Sequence, residues 1–155
     1  QLTQGDYSRA NAGRYAPSGS GSVNYSDLKL SNDFNSIIIN AMEREFCEEN
    51  NYSSNNKIKT IIIGYARLLE RGGKRFFGIS YIDEDSDYFN RGIKNLESGI
   101  ACKWERVPID NLGIGNTILE FCNRNISERK ISIQLMILAE IISKHEKRIL
   151  DKLNI

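Results

Sequence analysis

The sequence predicts an α/β fold, an α/β/α sandwich in which a mixed β-sheet lies between an acidic helix and a long C-terminal helix. Three observations carry this prediction: apolar residues with a four-residue period, two β-branched runs joined by glycines, and an amphipathic C-terminal stretch. At 155 residues the chain is long enough for one domain with a hydrophobic core and short for two. We therefore expect a single domain spanning residues 1–155. Because the chain opens on Gln rather than Met, we expect that domain to belong to a longer protein.

The N-terminal third of the chain predicts a loop followed by a helix. Residues 1–30 are rich in Gly, Ser, Asn and Tyr, which is typical of loops. Residues 31–50 then carry an apolar side chain at every fourth position, which predicts a helix with Ser31 or Asn32 as its N-cap. These apolar positions are Phe34, Ile38, Met42 and Phe46.

The rest of the chain predicts three strands and a final helix. The segments KIKTIIIGYARLLE (57–70) and RFFGISYID (75–83) predict two long strands joined by a glycine turn. CKWERVPID (102–110) predicts a third strand, which stops near Pro108. The tail from residue 127 to about residue 153 is amphipathic and predicts a long helix. Its apolar stripe consists of Ile131, Leu135, Leu138, Ile142, Ile149 and Leu150.

The charge balance, the cysteine spacing and the length of the apolar runs argue against several kinds of partner and cellular location. The formal net charge is +1, from 21 basic and 20 acidic residues, so no overall field attracts nucleic acid or an anionic membrane. Cys47, Cys102 and Cys122 are widely spaced and form no C-x-x-C pair, which argues against a disulfide framework and a zinc site. No apolar run reaches the roughly 18 residues of a membrane span, and the polar N-terminus lacks a signal-peptide core. We therefore expect a cytoplasmic protein that binds neither nucleic acid nor a membrane.

Three acids crowd the C-terminal end of the predicted acidic helix. A helical wheel places Glu45 and Glu49 inside or beside the apolar arc and Glu48 at its border, so the three carboxylates converge on one patch. The helix dipole makes this end unfavourable for negative charge. The patch is therefore either the charged end of a surface helix or a site for a divalent cation with hard oxygen ligands, such as Mg²⁺.

The segment REFCEENNY, residues 44–52, resembles part of a known family motif. It is similar to the second half of the Nudix box, G-x5-E-x7-R-E-U-x-E-E-x-G-U, in which U is a bulky aliphatic residue. The matching residues are Arg44, Glu45, Phe46, Glu48 and Glu49, with Asn51 and Tyr52 in place of the closing Gly and aliphatic residue. Gly21 and Asp27 match the first half, with Asp in place of Glu. Sixteen residues then separate Asp27 from Arg44, where the family pattern has seven.

The resemblance implies a Nudix-like sandwich fold and a Mg²⁺-dependent hydrolase, with Mn²⁺ as a substitute metal. The implied substrate is a nucleoside diphosphate linked to another moiety, as in a nucleotide sugar or ADP-ribose. By the resemblance, Glu45, Glu48 and Glu49 bind the metal and form the catalytic set together with Arg44. Arg44 would pair with Asp27, and Gly21 would let the loop backbone pass close to the helix.

Several further residues are candidates outside the box. Arg67, Arg71 and Lys74 flank the glycine turn and would bind substrate phosphates, although hairpin ends are commonly basic without such a role. Glu97 and Glu105 are candidates for the catalytic base, whereas the acidic stretch 83–87 is interpreted as a solvated loop. The aromatic residues that would stack on a base or belong to the core are Tyr15, Tyr65 and Trp104. The single histidine, His145, is interpreted as a surface residue.

Two alternatives to a hydrolase stay open. The stretched box and the missing closing motif favour a nucleotide-binding sensor or regulatory domain that keeps the ligand site and has weak or no turnover. A third hypothesis is an interaction domain that forms a homodimer through the long C-terminal helix. The three adjacent glutamates favour the hydrolase, because a degenerate site has no reason to keep them together.

Overall fold

The computed structural model of the chain describes residues 2–4, 13–19, 21–50, 52–53, 58–67, 73–84, 101–103, 105, 107–109, 111 and 113–155. In chain order its elements are β1 (Leu2–Gln4), α1 (Tyr25–Leu30), α2 (Phe34–Asn50), β2 (Ile58–Arg67), β3 (Lys74–Ile82), β4 (Ala101–Lys103), α3 (Gly113–Ile126) and α4 (Ile133–Leu153). The chain therefore mixes helices and strands, as the sequence predicts. The described strands form two antiparallel pairs, β1 with β4 and β2 with β3.

The chain groups into two compact units. The first unit contains residues 1–18 and 96–151, and the second contains residues 19–95 and 152–155. The single domain and the sandwich with a mixed sheet stay predictions. Among the described residues, no helix combines the length and the apolarity that a membrane crossing requires.

The second unit is built on the predicted hairpin. β2 and β3 pair from Ile58 opposite Ile82 to Arg67 opposite Lys74, which confirms the two strands and their antiparallel connection. A register shift lies between Ile62 and Gly64, so one extra residue in β2 forms a β-bulge. The β-branched residues of this run form a strand because their side chains pack on the pleated surface.

Helix α2 packs on this hairpin through its apolar stripe. Of the four predicted apolar positions, Ile38 is buried, Met42 and Phe46 are half-buried, and Phe34 is exposed; Ala41, outside that period, is also buried. A Cβ on Gly78 of β3 would lie 2.6 Å from the Met42 sulfur, so glycine lets the helix approach the strand closely. The Phe34 and Phe76 rings meet edge to face with centroids 5.6 Å apart, at the start of α2.

Two sequence predictions for this region are wrong in detail. Residues 25–30 form helix α1 rather than a loop, because Asn24 caps it in a reciprocal capping box with Asp27. Helix α2 starts at Phe34, and the side chain that binds a free N–H of its first turn is that of Asp33 rather than Ser31 or Asn32. The Asp33 carboxylate accepts the backbone N–H of Ser36 at 2.8 Å, which is the bond typical of a helix N-cap residue.

The first unit contains α3, which the sequence analysis missed, and most of α4. Its core consists of Cys122, Ile131 and Ala139, all buried. A Cβ on Gly115 would lie 2.3 Å from the Ser143 Cα, so α3 and α4 approach backbone to backbone. Helix α4 begins at Ile133, six residues after the predicted start at residue 127.

The third predicted strand is shorter than expected and has an unexpected partner. β4 covers Ala101–Lys103 only, and residues 107–109 have no regular structure. It pairs with β1, Leu2–Gln4, which lies in the segment predicted to be a loop. Neighbouring residues that complete the predicted strand, among them Trp104, lie outside the described residues.

Candidate functional site

The three box glutamates lie at the end of α2 with the exposure that the helical wheel predicts. Glu45 and Glu49 are half-buried, and both contact the loop that contains Gly19 and Gly21. The Glu48 side chain is 60 % exposed. The end of α2 therefore presents carboxylates at the border between protein and solvent rather than on the opposite face.

Gly21 lies against the Glu45 carboxylate. A Cβ placed on Gly21 would lie 1.8 Å from the Glu45 Cδ and 2.1 and 2.2 Å from its two oxygens. Any side chain at position 21 would therefore have to displace that carboxylate. The close approach of loop and helix that the resemblance implies at this glycine is confirmed.

Asp27 and Arg44 form the ion pair that the resemblance implies. Arg44 Nε donates to Asp27 Oδ1 at 3.0 Å and Arg44 Nη2 donates to Asp27 Oδ2 at 3.2 Å. The Asp27 side chain is completely buried, and its carboxylate also accepts the Asn24 backbone N–H at 2.8 Å. The pairing is confirmed even though the two residues are 17 positions apart in the chain.

This pair changes the ionisation of both partners. The hydrogen bond from Arg44 lowers the pKa of Asp27 below its ordinary value, against the opposing effect of burial. The hydrogen bond to Asp27 in turn raises the pKa of Arg44, with a further contribution from Glu45. Both groups are therefore charged throughout the physiological pH range.

The third guanidinium nitrogen of Arg44, Nη1, contacts two of the three glutamates. Nη1 lies 2.8 Å from Glu45 Oε1 and 2.9 Å from Glu48 Oε2. Both carboxylates reach the same nitrogen, so their oxygens lie within two hydrogen-bond lengths of each other. One guanidinium thus connects a buried acid to two acids at the surface of the helix end.

Glu49 is held by the loop rather than by Arg44. Its Oε2 accepts the backbone N–H of Gly19 at 2.7 Å. Gly19 has a φ of +70°, which favours glycine, and a Cβ there would lie 3.2 Å from the Phe46 Cβ. Gly19 is a site residue that the sequence analysis did not single out, although the SGSG run around it marks a loop able to approach a helix closely.

The closing position of the box is filled by a buried aromatic residue. Tyr52 is only 5 % exposed, and its ring lies edge to face on the Phe46 ring with centroids 6.0 Å apart. Its backbone N–H donates to the Cys47 carbonyl at 3.0 Å, so Tyr52 is bonded to the last turns of α2 although it lies beyond the end of that helix. Tyr52 therefore supplies apolar packing where the family pattern has an aliphatic residue. Asn51 lies outside the described residues.

The donor chemistry of this site fits a hard cation, but the present contacts are made to protein groups. Carboxylate oxygens are the ligands that Mg²⁺ prefers. Within the described ranges, no three His, Cys, Asp or Glu side chains are gathered so as to hold a metal ion. The reason is visible in the contacts, because Glu49 turns to Gly19 while Glu45 and Glu48 converge on Arg44.

The candidate substrate-binding cations lie near the other end of α2. Arg67 and Lys74 are exposed and directly opposite each other at the end of the hairpin, and Arg71 lies outside the described residues. The hairpin near this end contacts Phe34, the first residue of α2. From Phe34 to Glu45 the helix advances about 16 Å. The two cations therefore lie near the start of α2, whereas the three glutamates lie near its end.

The other candidates belong to the first unit, lie exposed on the hairpin or fall outside the described part of the chain. Tyr15 belongs to the first unit, where its ring packs on Phe121 with centroids 5.0 Å apart, so it is a core residue. Tyr65 is 52 % exposed on the hairpin and contacts Phe76. Glu105 and His145 are exposed. Glu97, Trp104 and the second half of the acidic stretch 83–87 lie outside the described residues.

A scan against protein-family models, a search of curated proteins and a search of solved structures each found no match for this chain. The observations that bear on function are therefore those of the site itself. They are an acidic helix end, a buried Asp27–Arg44 pair and a glycine loop that contacts Glu45 and Glu49.

Proposed function

We propose that the protein is a Mg²⁺-dependent, Nudix-type hydrolase of a nucleoside diphosphate linked to another moiety, such as a nucleotide sugar or ADP-ribose. The observation that carries this proposal is the contact between the two halves of the box. Asp27 binds Arg44 in the buried ion pair, and Gly21 touches Glu45, although sixteen residues lie between the halves. A chance R-E-x-x-E-E hexapeptide on a surface helix would not require either contact.

Each box residue has a physical role in this reaction. Glu45, Glu48 and Glu49 would supply the oxygen ligands, and Mg²⁺ when bound neutralises the diphosphate and lowers the pKa of the attacking water. Arg44 orients the carboxylates of Glu45 and Glu48 towards each other. Asp27 fixes Arg44 from the buried side, which makes both of them positioning residues.

A second candidate function is a nucleotide-binding sensor with weak or no turnover. The observation that favours it is that all three glutamates already have protein partners, namely Arg44 for two of them and Gly19 for the third. Such an acidic patch is stable without metal and has no need of catalysis to explain it. The homodimer hypothesis has less support, because residues of the α4 stripe such as Ile142 and Ile149 are buried within the chain itself.

The decisive experiment is a calorimetric Mg²⁺ titration together with an assay for release of phosphate or nucleoside monophosphate from ADP-ribose and related diphosphates. We expect Glu48→Gln and Glu49→Gln to abolish metal binding and hydrolysis. Glu43→Gln, on the same helix but outside the triad, is the matched control and should keep both. Folded stability of the Glu48 variant should change by about half a kcal/mol or less, because its ion pair is largely exposed.

The outcomes separate the two candidates. Metal or nucleotide binding that depends on Glu48 and Glu49, without release from any diphosphate, would exclude the hydrolase and support the sensor. Absence of any metal dependence in the wild type would exclude the metal site in both. A cytoplasmic, reducing setting and a small-molecule nucleotide partner belong to the same proposal.

A further inference from the structure

The end of the β2–β3 hairpin carries a row of three aromatic rings that touch one another. Tyr65 and Phe76 lie directly opposite each other in register, and their ring centroids are 5.2 Å apart. The Phe76 ring also meets the ring of Phe34, the first residue of α2, with centroids 5.6 Å apart. Phe76 is half-buried, whereas Tyr65 is 52 % and Phe34 is 59 % exposed. Two of the three rings therefore leave much of their surface open to solvent.

Two exposed cations follow the rings on the same face of the hairpin. Arg67 and Lys74 are directly opposite each other, and they lie two positions along their strands from Tyr65 and Phe76. Because side chains alternate between the faces of a strand, the two cations share the face of the rings, about 7 Å further along the hairpin. Like charges directly opposite each other destabilise a strand pair. The ion pairs found among the described residues involve neither cation. An anion that contacts both would therefore relieve an unfavourable arrangement.

The ligand that suits this face carries flat rings and negative charge side by side. Nucleobases stack on aromatic side chains, and phosphates bind arginine and lysine. A single-stranded nucleic acid leaves its bases free to stack while its backbone passes the cations, whereas a duplex keeps its bases inside. The net charge of the chain is only +1, so recognition has to come from this local face rather than from an overall field.

An anionic membrane also attracts aromatic and basic side chains, but the order of the groups along the hairpin does not suit it. Arg67 and Lys74 lie nearer the end of the hairpin than Tyr65 and Phe76 do. Membrane-bound surfaces place their aromatic and aliphatic side chains deeper than their cations. A hairpin that entered a membrane by its end would bring the cations in first. The arrangement therefore favours a nucleic acid over a lipid surface.

We propose that this face, formed by Phe34, Tyr65, Arg67, Lys74 and Phe76, binds single-stranded nucleic acid. Bases stack on the two exposed rings, and the two cations contact the phosphates beside them. All five residues belong to the second unit. The inference goes beyond the proposed function and does not depend on it, because the face lies at the start of α2 and the glutamates lie at its end.

The direct test is fluorescence anisotropy of a labelled, mixed-sequence single-stranded oligonucleotide titrated with the full chain at several salt concentrations. EDTA is present throughout, so the result is independent of any metal site. We expect binding to the single strand in preference to a duplex of the same sequence. Two phosphate contacts predict that the logarithm of the association constant falls with the logarithm of the salt concentration with a slope of about −1.4.

Two variants separate stacking from charge. Tyr65→Thr keeps a β-branched residue in the strand and should weaken binding by about fivefold or more at an unchanged salt slope, because a lost stack carries no charge. Arg67→Gln should weaken binding and make the slope shallower by about 0.7. The matched controls are Tyr81→Thr and Arg75→Gln, which lie on the opposite face of the same hairpin and should keep both affinity and slope.

Three results would overturn the proposal. The first is the absence of oligonucleotide binding at low salt, including the case in which vesicles of anionic phospholipid bind instead. The second is equal affinity for the single strand and the duplex, since stacking on the rings requires free bases. The third is a loss of affinity in the control variants as large as that in Tyr65→Thr and Arg67→Gln, which would indicate general attraction between charges rather than this face.

Discussion

Replacement of Asp27 by Asn tests the contact on which the site depends. Asp27 is completely buried, and it binds Arg44 through both oxygens. Removal of one partner of a buried ion pair costs about 3–5 kcal/mol. The Arg44 side chain is 21 % exposed and keeps Glu45 and Glu48 as partners, which reduces this cost. We therefore expect Asp27→Asn to lower the free energy of unfolding by about 2 kcal/mol at pH 7.

The stabilisation that Asp27 provides should depend on pH in a definite direction. The pKa of Asp27 is lowered in the folded chain, so its ionised form stabilises the fold above the ordinary aspartate range, near pH 4. That stabilisation is lost as the pH falls through the lowered folded-state pKa. The stability difference between wild type and Asp27→Asn should accordingly be constant near neutral pH and shrink in acid.

Urea unfolding followed by circular dichroism at several pH values measures both effects. Asp83→Asn is the control, because Asp83 is exposed at the end of β3. It should leave stability unchanged to within about half a kcal/mol. An Asp27→Asn protein as stable as the wild type at pH 7 would refute the buried ion pair and, with it, the alignment of the first half of the box.

Three further results are expected from other parts of the molecule. Gly21→Ala should leave the free energy of unfolding within about 1 kcal/mol of the wild type. The new methyl group displaces the flexible end of the Glu45 side chain, but alanine also lowers the chain entropy of the unfolded state. The same change should weaken Mg²⁺ binding in calorimetry, because the Glu45 carboxylate moves. Gly73→Ala has room for its Cβ and should not weaken it. Glu146→Ala should cost about 1 kcal/mol in urea unfolding, because its carboxylate caps the N-terminus of α3; an unchanged midpoint would contradict that role. Burial raises the pKa of Cys122 to about 11, so mass spectrometry should find it unalkylated at pH 8 until the protein unfolds, and rapid native labelling would contradict its burial.

The elements that the sequence predicts well are those with a regular apolar pattern. Helix α2 carries a four-residue period, and the burial of Ile38 follows from it, whereas Phe34 at the start of the helix is exposed. The β2–β3 hairpin follows from β-branched runs around glycines. The contacts of Asp27 with Arg44 and of Gly21 with Glu45 agree with what the resemblance to the Nudix box implies, and no local pattern predicts either of them.

Helix α1 was missed because its apolar side chains do not face a core. Tyr25, Leu28 and Leu30 are all exposed, so no hydrophobic period marks this helix. Its start is instead encoded by the capping box of Asn24 and Asp27, a polar signal that the loop-like composition of the segment obscured.

Helix α3 was missed for a different reason. Its first turn contains Gly113, Gly115 and Asn116, which are poor helix formers. The helix begins there because Glu146, far along the chain, accepts the backbone N–H of Ile114 at 2.7 Å and of Gly115 at 3.3 Å. Gly113 has a φ of +86°, and a Cβ on it would lie 2.6 Å from the Glu146 carboxylate. No local pattern predicts a cap that comes from another helix.

The short length of α1 has a consequence for the motions of the site. A helix of six residues is not stable alone in water, so we expect α1 to depend on the attachment of Asp27 to Arg44. Its opening and the release of that arginine should therefore be one event, a small local unfolding unit within the folded chain. In native-state hydrogen exchange, the hydrogen-bonded amides near the end of Tyr25–Leu30 should share a single opening free energy. That value would measure directly how firmly the acidic helix end is held in place.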